Sequence, residues 1–271
     1  MKINCSVEIL TRNSAHTIAR CLESVKNFDD IMVLDGGSTD DTREIAARLG
    51  ARVTDQEDGQ RENQAIGDFS AVRNRGLAAA RHPWFIYIDS DEYLSPKGVE
   101  EIRGIVESPA PEAHVWWQPR KYVLNDVVIE CATTYPNRQI RLFHRDFVQG
   151  FVKPIHERIL VNPGVKTAVL RHCEYVPLGS PASLKARWER YRNMEIAIAA
   201  GMRRPKSIRV VLGELALFVF YALRYVRNIF FCRGARLPFS YEWLRHCMIF
   251  GFIWRLLKQN FRTAPPASRR I

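Results

Sequence analysis

The sequence lacks the cysteine spacing of a zinc site or a thiol redox motif. Its six cysteines are scattered, and none belongs to a Cys-x-x-Cys pair: Cys5, Cys21, Cys131, Cys173, Cys232 and Cys247. We therefore expect reduced thiols, as in a cytosolic protein. The first ten residues also lack the long apolar core of a secretory signal peptide, so we expect the protein to stay in the compartment where it is made.

A long uncharged hydrophobic run is also missing. The longest such stretch near the C-terminus, Leu215–Leu223, has nine residues and follows Glu214, which disfavours a simple membrane-spanning helix. Charge is distributed unevenly. Residues 182–271 carry 18 lysines and arginines against four acidic residues, whereas residues 1–181 carry 22 against 25. A basic C-terminal region is typical of proteins that meet nucleic acid or anionic lipid.

Anionic lipid is the preferred partner of this basic region. The region contains no recognised nucleic-acid-binding motif, and its aromatic residues cluster with aliphatic ones, so no nucleic-acid partner is expected. Basic residues at both ends of an apolar stretch suit a helix that lies in, or dips into, a headgroup layer. The alternative is that these helices form an ordinary hydrophobic core.

The first half of the chain alternates short apolar runs with helical patterns. This alternation predicts an α/β fold with a mostly parallel sheet flanked by helices. Residues 55–67 are polar, and we expect a mobile loop there. The predicted strands are Cys5–Leu10, Ile31–Leu34, Arg52–Thr54 and Trp84–Ile88, and the predicted helices are Ala15–Val25, Thr39–Leu49, Phe69–Arg81 and Pro96–Val106.

The pattern changes beyond residue 113. Val115–Leu124, Val127–Glu130 and Gln139–His144 are predicted as antiparallel strands, and the chain becomes helical, basic and aromatic from residue 182. We therefore predict two parts, an α/β domain over residues 1–181 and a helical, membrane-associating region over residues 182–271.

Polar groups follow three of the predicted strands, where ligands bind in open α/β sheets. They lie in Thr11–Asn13, Asp35–Asp41 and Asp89–Glu92. Asp35 is a candidate nucleotide ligand, because the glycines after it allow close approach of the backbone. The alternative is a glycine-rich turn in which Ser38 or Thr39 caps the next helix.

Asp89 and Asp91 form a candidate metal site. Their like charges follow a buried strand, and a divalent cation would relieve the repulsion between them. A calcium loop is excluded, because Tyr93 and Leu94 stand where that loop needs a ligand and a glycine. Mg²⁺ or Mn²⁺ held with a diphosphate fits better. The alternative is a solvated turn at the strand end.

Four motifs in order resemble those of family 2 glycosyltransferases with the GT-A (Rossmann-like) fold. The resemblance covers roughly residues 3–160. It implies that Thr11, Asn13, Asp35, Arg73, Asn74 and Asp89 lie at the donor, and that Asp91 and Asp89 hold the metal–diphosphate. The motifs are Thr11-Arg12-Asn13, Asp35-Gly36-Gly37-Ser38-Thr39-Asp40, Ala71-Val72-Arg73-Asn74-Arg75-Gly76-Leu77 and Ile88-Asp89-Ser90-Asp91-Glu92.

A further stretch resembles the subgroup that includes lipopolysaccharide-core glucosyltransferases. It runs from Asn137 to Phe143 and continues through Gly150 to His156-Glu157. The resemblance implies that Glu157, beside His156, is the catalytic base of an inverting transfer, although many relatives have Glu-Asp at this point. A metalloprotease motif is excluded by Leu160, and the alternative is an ordinary exposed His-Glu pair.

Together these features predict a hexosyltransferase that uses Mg²⁺ or Mn²⁺. The expected donor is a nucleotide sugar, of the UDP-sugar type. The expected acceptor is a hydroxyl of a membrane glycolipid such as a lipopolysaccharide-core precursor. The expected location is the cytoplasmic face of the inner membrane, with peripheral or monotopic attachment to an anionic surface. The alternatives are a polyprenyl-phosphate glycosyltransferase and a catalytically degenerate protein that binds membrane surfaces.

Overall fold

A computed structural model describes residues 1–200 and 204–262 of the chain. The internal contacts divide the protein into two compact units. The first unit comprises Met1–Val123 and Pro136–Pro177, and the second comprises Leu124–Tyr135 and Leu178–Ile271.

A mixed sheet forms the centre of the first unit. Its strands lie in the order β3-β2-β1-β4-β8-β6-β12-β5. The pairs from β3 to β4 are parallel, whereas β8 is antiparallel to both β4 and β6. The predicted α/β fold is thus confirmed. The strands of the chain are β1 Ile3–Thr11, β2 Phe28–Asp35, β3 Arg52–Asp55, β4 Trp84–Asp89, β5 Tyr93–Leu94, β6 Val115–Leu124, β7 Val127–Val128, β8 Asn137–His144, β9 Val148–Val152, β10 Arg158–Val161, β11 Thr167–Val169 and β12 Glu174–Pro177.

Helices cover this sheet through narrow apolar faces. In α1, every buried residue falls at helical spacing, namely Ile18, Cys21, Leu22 and Val25. Capping side chains fix two helix starts, because Asp68 accepts from Ala71 N and Ser95 accepts from Gly98 N. The helices of the first unit are α1 Ile18–Val25, α2 Thr42–Arg48, α3 Phe69–Ala79 and α4 Pro96–Val106.

The second unit is built from three long helices and the segment 124–135. The helices are α5 Pro181–Ala200, α6 Arg204–Phe231 and α7 Phe239–Arg262, and α7 packs against both others. Glu242 accepts hydrogen bonds from the backbone and hydroxyl of Thr133, and Arg224 donates to the carbonyls of Thr133 and Tyr135. No helix within the described residues combines the length and the hydropathy needed to cross a bilayer.

The expectation that all thiols are reduced is wrong for one pair. Cys131 and Cys232 form a disulfide across 101 residues of sequence. The backbone brings them together, because Cys131 N donates to Ala235 O and Leu237 N donates to Cys131 O. This pairing depends on contacts between distant segments, which cysteine spacing does not reveal. The other four cysteines are free.

Candidate functional site

Strand register brings three predicted site segments to one edge of the sheet. Thr11 at the end of β1 is aligned with Asp35 at the end of β2, and Leu10 is aligned with Asp89 at the end of β4. Because β1, β2 and β4 are parallel, the loops that follow them leave the sheet on the same side. This edge is the candidate active site.

Asp35 organises the turn that follows β2. Its carboxylate is fully buried and accepts from Ser38 N at 2.9 Å, from Ser38 Oγ at 2.5 Å and from Arg43 Nη1 at 3.0 Å. Arg43 also pairs with Asp55 at 2.7 Å. Asp35 therefore already has three protein donors and no exposed surface, so its predicted contact to a nucleotide requires a local rearrangement of this turn.

Asn13 holds together three segments at the same edge. Its backbone, at φ 49°, donates to Ser38 Oγ at 2.8 Å. Its side-chain oxygen accepts from Thr39 N at 2.9 Å, and its side-chain nitrogen donates to Asn63 Oδ1 at 3.1 Å. This predicted donor-binding residue thus positions the loops around the site through hydrogen bonds within the protein.

Asn63 anchors the loop over residues 55–67, which the sequence had suggested to be mobile. Asn63 N donates to Gly37 O at 2.6 Å, and Arg12 Nη1 donates to Asn63 O at 3.2 Å. Gly37 has φ 70°, and a Cβ there would lie 2.1 Å from Arg61 O. Glycine is required at this position by both the backbone conformation and the close approach of the loop.

Arg73 lies at the centre of a buried charge network. Its side chain is 1% exposed, and Nη2 donates to Asp89 Oδ1 at 2.6 Å. Nη1 lies 3.4 Å from Glu8 Oε1, and Nε lies 3.5 Å from Glu157 Oε1. The guanidinium also lies over the Tyr87 ring, 4.7 Å from its centroid. Arg73 therefore connects the carboxylate at the end of β4 with the candidate base.

A second buried arginine, Arg141, holds Asp89 from the other side. Its Nη2 lies 3.4 Å from Asp89 Oδ2 and 2.7 Å from Glu92 Oε2, and its Nε lies 3.3 Å from Glu174 Oε2. Arg120 pairs with both Glu92 and Glu174. Sequence reasoning did not identify these supporting residues. The signal available in the sequence was an arginine within each of two predicted strands, Arg120 in β6 and Arg141 in β8.

The two arginines determine the ionisation state of Asp89. Partial burial favours the neutral acid, but the positive charges of Arg141 and Arg73 outweigh it and hold the pKa of Asp89 well below its ordinary value. Glu8 shows the opposite balance. Burial raises the pKa of Glu8 to about 8, and Arg73 offsets that effect only in part. These opposite shifts keep Asp89 ionised at neutral pH and favour the protonated form of Glu8.

Asn74 positions the loop that carries Glu157. Its side-chain nitrogen donates to Phe151 O at 2.9 Å, and its side-chain oxygen accepts from Phe151 N at 2.8 Å. A Cβ on Gly150, which has φ 105°, would lie 2.7 Å from this oxygen. Asn74, predicted to lie near the donor, thus pairs with the backbone of β9. Phe69 N adds a 2.9 Å bond to Pro154 O.

The remaining predicted residues are Asp91, His156 and Thr11. Asp91 is half-buried in the turn between β4 and β5, where Glu92 N donates to Asp89 O at 2.9 Å. His156 is exposed at φ 54°, directly before the half-buried Glu157. Thr11 is buried, and its carbonyl accepts from Gly36 N and from Gln56 Nε2.

The residues at this edge fit a divalent cation only together with ligand oxygens. Within residues 1–200 and 204–262, no three His, Cys, Asp or Glu side chains converge to hold a metal. Mg²⁺ bound with a nucleotide needs only one or two carboxylates, because phosphate oxygens and water complete its shell. Asp89 and Asp91 supply that number, and Asp89 is ionised.

Comparison with known proteins shows what the first part of the chain is similar to. Residues 6–123 match Glycosyl transferase family 2. The chain is 27% identical over 261 residues to an uncharacterized glycosyltransferase of Rickettsia bellii, covering 91% of this chain and 82% of that protein. It is 34% identical over 157 residues to a TPR repeat-containing protein of Synechococcus elongatus, covering 57% of this chain but only 35% of that protein.

One solved structure is similar in sequence to part of the chain. It is glucosyl-3-phosphoglycerate synthase from Mycobacterium tuberculosis in complex with Mn²⁺, UDP and glucosyl-3-phosphoglycerate. The match covers 44% of each chain at 27% identity, with a TM-score of 0.35. The family match itself spans the strands that end in Thr11, Asp35 and Asp89. The prediction of a glycosyltransferase domain is thereby confirmed.

Proposed function

With residues 6–123 matching Glycosyl transferase family 2, we propose that the chain transfers a hexose from a UDP-sugar to a hydroxyl of a membrane glycolipid, with inversion. The acceptor that we propose is a lipopolysaccharide-core precursor. One observation carries the proposal: Arg73 contacts both Asp89, in the candidate metal–diphosphate motif, and Glu157, the candidate base. In this proposal, a ligand for the donor's metal–diphosphate and a base for the acceptor hydroxyl lie close together at one edge of the sheet.

The donor half of the reaction needs charge balance on the departing diphosphate. We assign Mg²⁺ or Mn²⁺ to Asp91 and Asp89, with diphosphate oxygens completing the shell. The ion would stabilise the negative charge that develops on the leaving group. Asp89 keeps accepting capacity, because a carboxylate offers about four lone-pair sites and the arginines occupy only part of them. Its side chain is 42% exposed, so a ligand can reach it.

The acceptor half needs a group that takes a proton. As the acceptor oxygen bonds to the anomeric carbon, the bond from that carbon to the diphosphate breaks, and its electron pair leaves with the nucleotide. The hydroxyl proton passes to Glu157. Glu157 is placed for this role because its carboxylate is half-buried beside Arg73, whose Nε lies 3.5 Å away. Displacement in a single step inverts the anomeric configuration.

The second unit supports the proposed acceptor class. Its helices combine the basic composition of residues 182–271 with exposed aromatic and aliphatic residues, which favours an anionic membrane surface. We place the protein at the cytoplasmic face of the inner membrane, as a peripheral or monotopic protein. A lipid-linked acceptor is the substrate class that such a location supplies.

A donor screen tests the proposed reaction. The purified chain is incubated with a panel of nucleotide sugars and Mg²⁺ or Mn²⁺, and release of nucleoside diphosphate is recorded with and without a glycolipid acceptor. We expect release from a UDP-sugar that requires the metal and increases with acceptor. Absence of metal-dependent donor binding across the panel would instead favour a degenerate domain that binds membrane surfaces. Faster release of nucleoside diphosphate with a polyprenyl phosphate than with a glycolipid would favour the alternative in which the acceptor is a phosphate.

A further inference from the structure

Helix α6 exposes a long apolar surface within the second unit. Leu212, Val219 and Leu223 are each more than half exposed, and Leu223 reaches 66%. Residues in the interior of a soluble bundle would be covered, and monomeric proteins seldom leave so large an apolar area open. The exposed large hydrophobic residues of α6 are Ile208, Leu212, Leu215, Leu217, Val219, Phe220, Leu223, Val226, Ile229, Phe230 and Phe231.

The charges that interrupt the α6 sequence lie on its packed side. Glu214 forms a bidentate pair with Arg192 of α5, at 3.0 and 3.1 Å, and its side chain is 14% exposed. Arg224 donates to the carbonyls of Thr133 and Tyr135. The sequence suggested that Glu214 disrupts the apolar run. In three dimensions, this carboxylate is neutralised inside the unit and does not interrupt the exposed face.

Between Arg209 and Arg227, every exposed residue of α6 is uncharged. The two arginines are themselves exposed and are 18 residues apart, which corresponds to roughly 27 Å along a helix. The face is therefore an apolar strip with a cation at each end. Helix α7 adds the exposed aromatic residues Phe239, Trp243, Phe250 and Trp254. Tryptophan is enriched where apolar and polar phases meet, because its ring is apolar and its N–H is polar.

We propose that this strip, the exposed α6 face between Arg209 and Arg227, lies in the hydrocarbon layer of an anionic bilayer, with the helix axis along the membrane surface. The proposal deepens the membrane-associated function proposed above and rests on it. The orientation follows from packing, because α7 and Arg192 of α5 cover the opposite side of α6 and leave only this face for lipid. Arg209 and Arg227 then reach anionic headgroups by snorkelling.

Charge favours lipid over a protein partner as the occupant of the strip. Residues 182–271 carry 18 basic against four acidic residues, and two of those acidic residues, Glu214 and Glu242, form buried bonds within the second unit. A second copy of the chain would bring the same cations to the contact. Anionic lipid supplies both the apolar phase and the opposite charge.

Vesicle flotation tests the proposal. The wild type is compared with the double variant Leu212→Glu/Leu223→Glu and with Val169→Glu, which places one such glutamate on an exposed strand residue of the first unit. The vesicles contain phosphatidylcholine with or without phosphatidylglycerol. We expect the double variant to bind the anionic vesicles at least ~10-fold more weakly, because a charge in hydrocarbon is strongly disfavoured. Val169→Glu should bind as the wild type does.

Salt and oligomeric state separate the alternatives. Wild-type binding that persists in part at high salt supports insertion, whereas complete loss would show headgroup attraction alone and overturn the proposal. Equal binding by the double variant would also overturn it. The proposal would also be overturned if the wild type were a dimer in solution and the double variant were monomeric but bound vesicles equally well. Circular dichroism verifies that the variants fold. The milder pair Leu212→Gln/Leu223→Gln serves as a second variant if the glutamate pair does not fold. Donor turnover in detergent tests the proposed reaction separately.

Discussion

The Arg73 guanidinium donates a 2.6 Å hydrogen bond to Asp89, and the two residues differ sharply in exposure. Arg73 is 1% exposed and Asp89 is 42% exposed, so a buried cation reaches the open edge of the sheet through a single carboxylate. The same guanidinium lies within 3.5 Å of Glu157. A change at Arg73 should therefore disturb donor and acceptor chemistry together.

Replacement of Arg73 tests this coupling. Arg73→Lys keeps a positive charge but cannot contact Asp89, Glu8 and Glu157 at once, because an ammonium lacks the planar fork of a guanidinium. We expect turnover to fall by ~10²-fold, the scale of cost for a misplaced reacting group, and donor affinity to fall as well. Arg75→Ala is the matched control, since Arg75 lies on the same helix in an exposed pair with Asp58. Steady-state kinetics with unchanged turnover for Arg73→Lys would contradict the assignment.

Glu157→Gln tests the candidate base. The amide retains the shape of the side chain but cannot take a proton, so turnover with a hydroxyl acceptor should fall by ~10²-fold or more. Donor affinity, measured by calorimetry, should change little. A variant that turns over normally would favour the polyprenyl-phosphate alternative, in which the acceptor needs no base. Equal losses in affinity and turnover would make Glu157 a donor contact and move the search for the base to His156.

Asp91→Ala tests the metal assignment. We expect loss of metal-dependent donor binding with the fold retained, because the half-buried Asp91 lies in a turn outside the central core. Titration of UDP-sugar with and without Mn²⁺ measures the effect, and circular dichroism verifies the fold. Asp146→Ala, at an exposed carboxylate elsewhere in the first unit, should bind like the wild type. Donor and metal binding as tight as wild type in Asp91→Ala would rule out this ligand.

Glu8 should make the first unit less stable as pH rises. Its pKa is about 8 in the folded chain and about 4.3 when unfolded. The folded state therefore holds a proton that the unfolded state has lost between these values. The free energy of unfolding should fall by about 1.4 kcal/mol per pH unit across that window and level off above pH 8.

Glu8→Gln isolates this effect. The variant carries no titratable group there, so the difference in urea unfolding between wild type and variant should depend on pH from about 5 to 8. Asp89 contributes in the opposite sense and at a different pH, because its pKa is depressed and its contribution is lost only as the solution becomes acidic. Glu112→Gln, at an exposed carboxylate, is the control. A pH-independent difference for Glu8→Gln would contradict the predicted titration.

The disulfide should stabilise the second unit. Because Cys131 and Cys232 are 101 residues apart, Cys131→Ser should lower the free energy of unfolding by ~2–4 kcal/mol. Thermal unfolding of the variant, with Cys247→Ser as an exposed control, measures this. The pair also tests the proposed location. A disulfide that persists in cells is typical of an oxidising compartment, so thiol trapping that finds the pair oxidised in intact cells would contradict the cytoplasmic location.

Local sequence patterns were sufficient for the α/β half of the fold. Ile31–Leu34 and Trp84–Ile88 are apolar runs bounded by polar turns, which is how a strand buried on both faces is encoded. The same patterns predict that the polar groups after these strands lie together, because the carboxyl ends of parallel strands share one edge of the sheet. Even so, α2 begins at Thr42 and not at Thr39, and Thr42 N donates to the Asp40 carboxylate in the turn before the helix.

The connections of the site residues were not visible in the sequence. Asn13, Asp35 and Asn74 were predicted around the donor, yet their side chains bond to Thr39, Ser38 and the Phe151 backbone. Each bond joins a side chain to a group whose direction depends on the local backbone, and a motif records only the residue type.

Amino-acid order alone determined the alternation of strands and helices, the ends at which carboxylates lie and the excess of positive charge after residue 182, because each of these depends on neighbouring residues. Tertiary structure alone decided that Arg73 joins Asp89 to Glu157, that Cys131 meets Cys232, and that Glu214 turns inward onto Arg192. These contacts span 16 to 101 positions. They form only when packing brings the segments together. Packing also determines whether a charged side chain is exposed or buried.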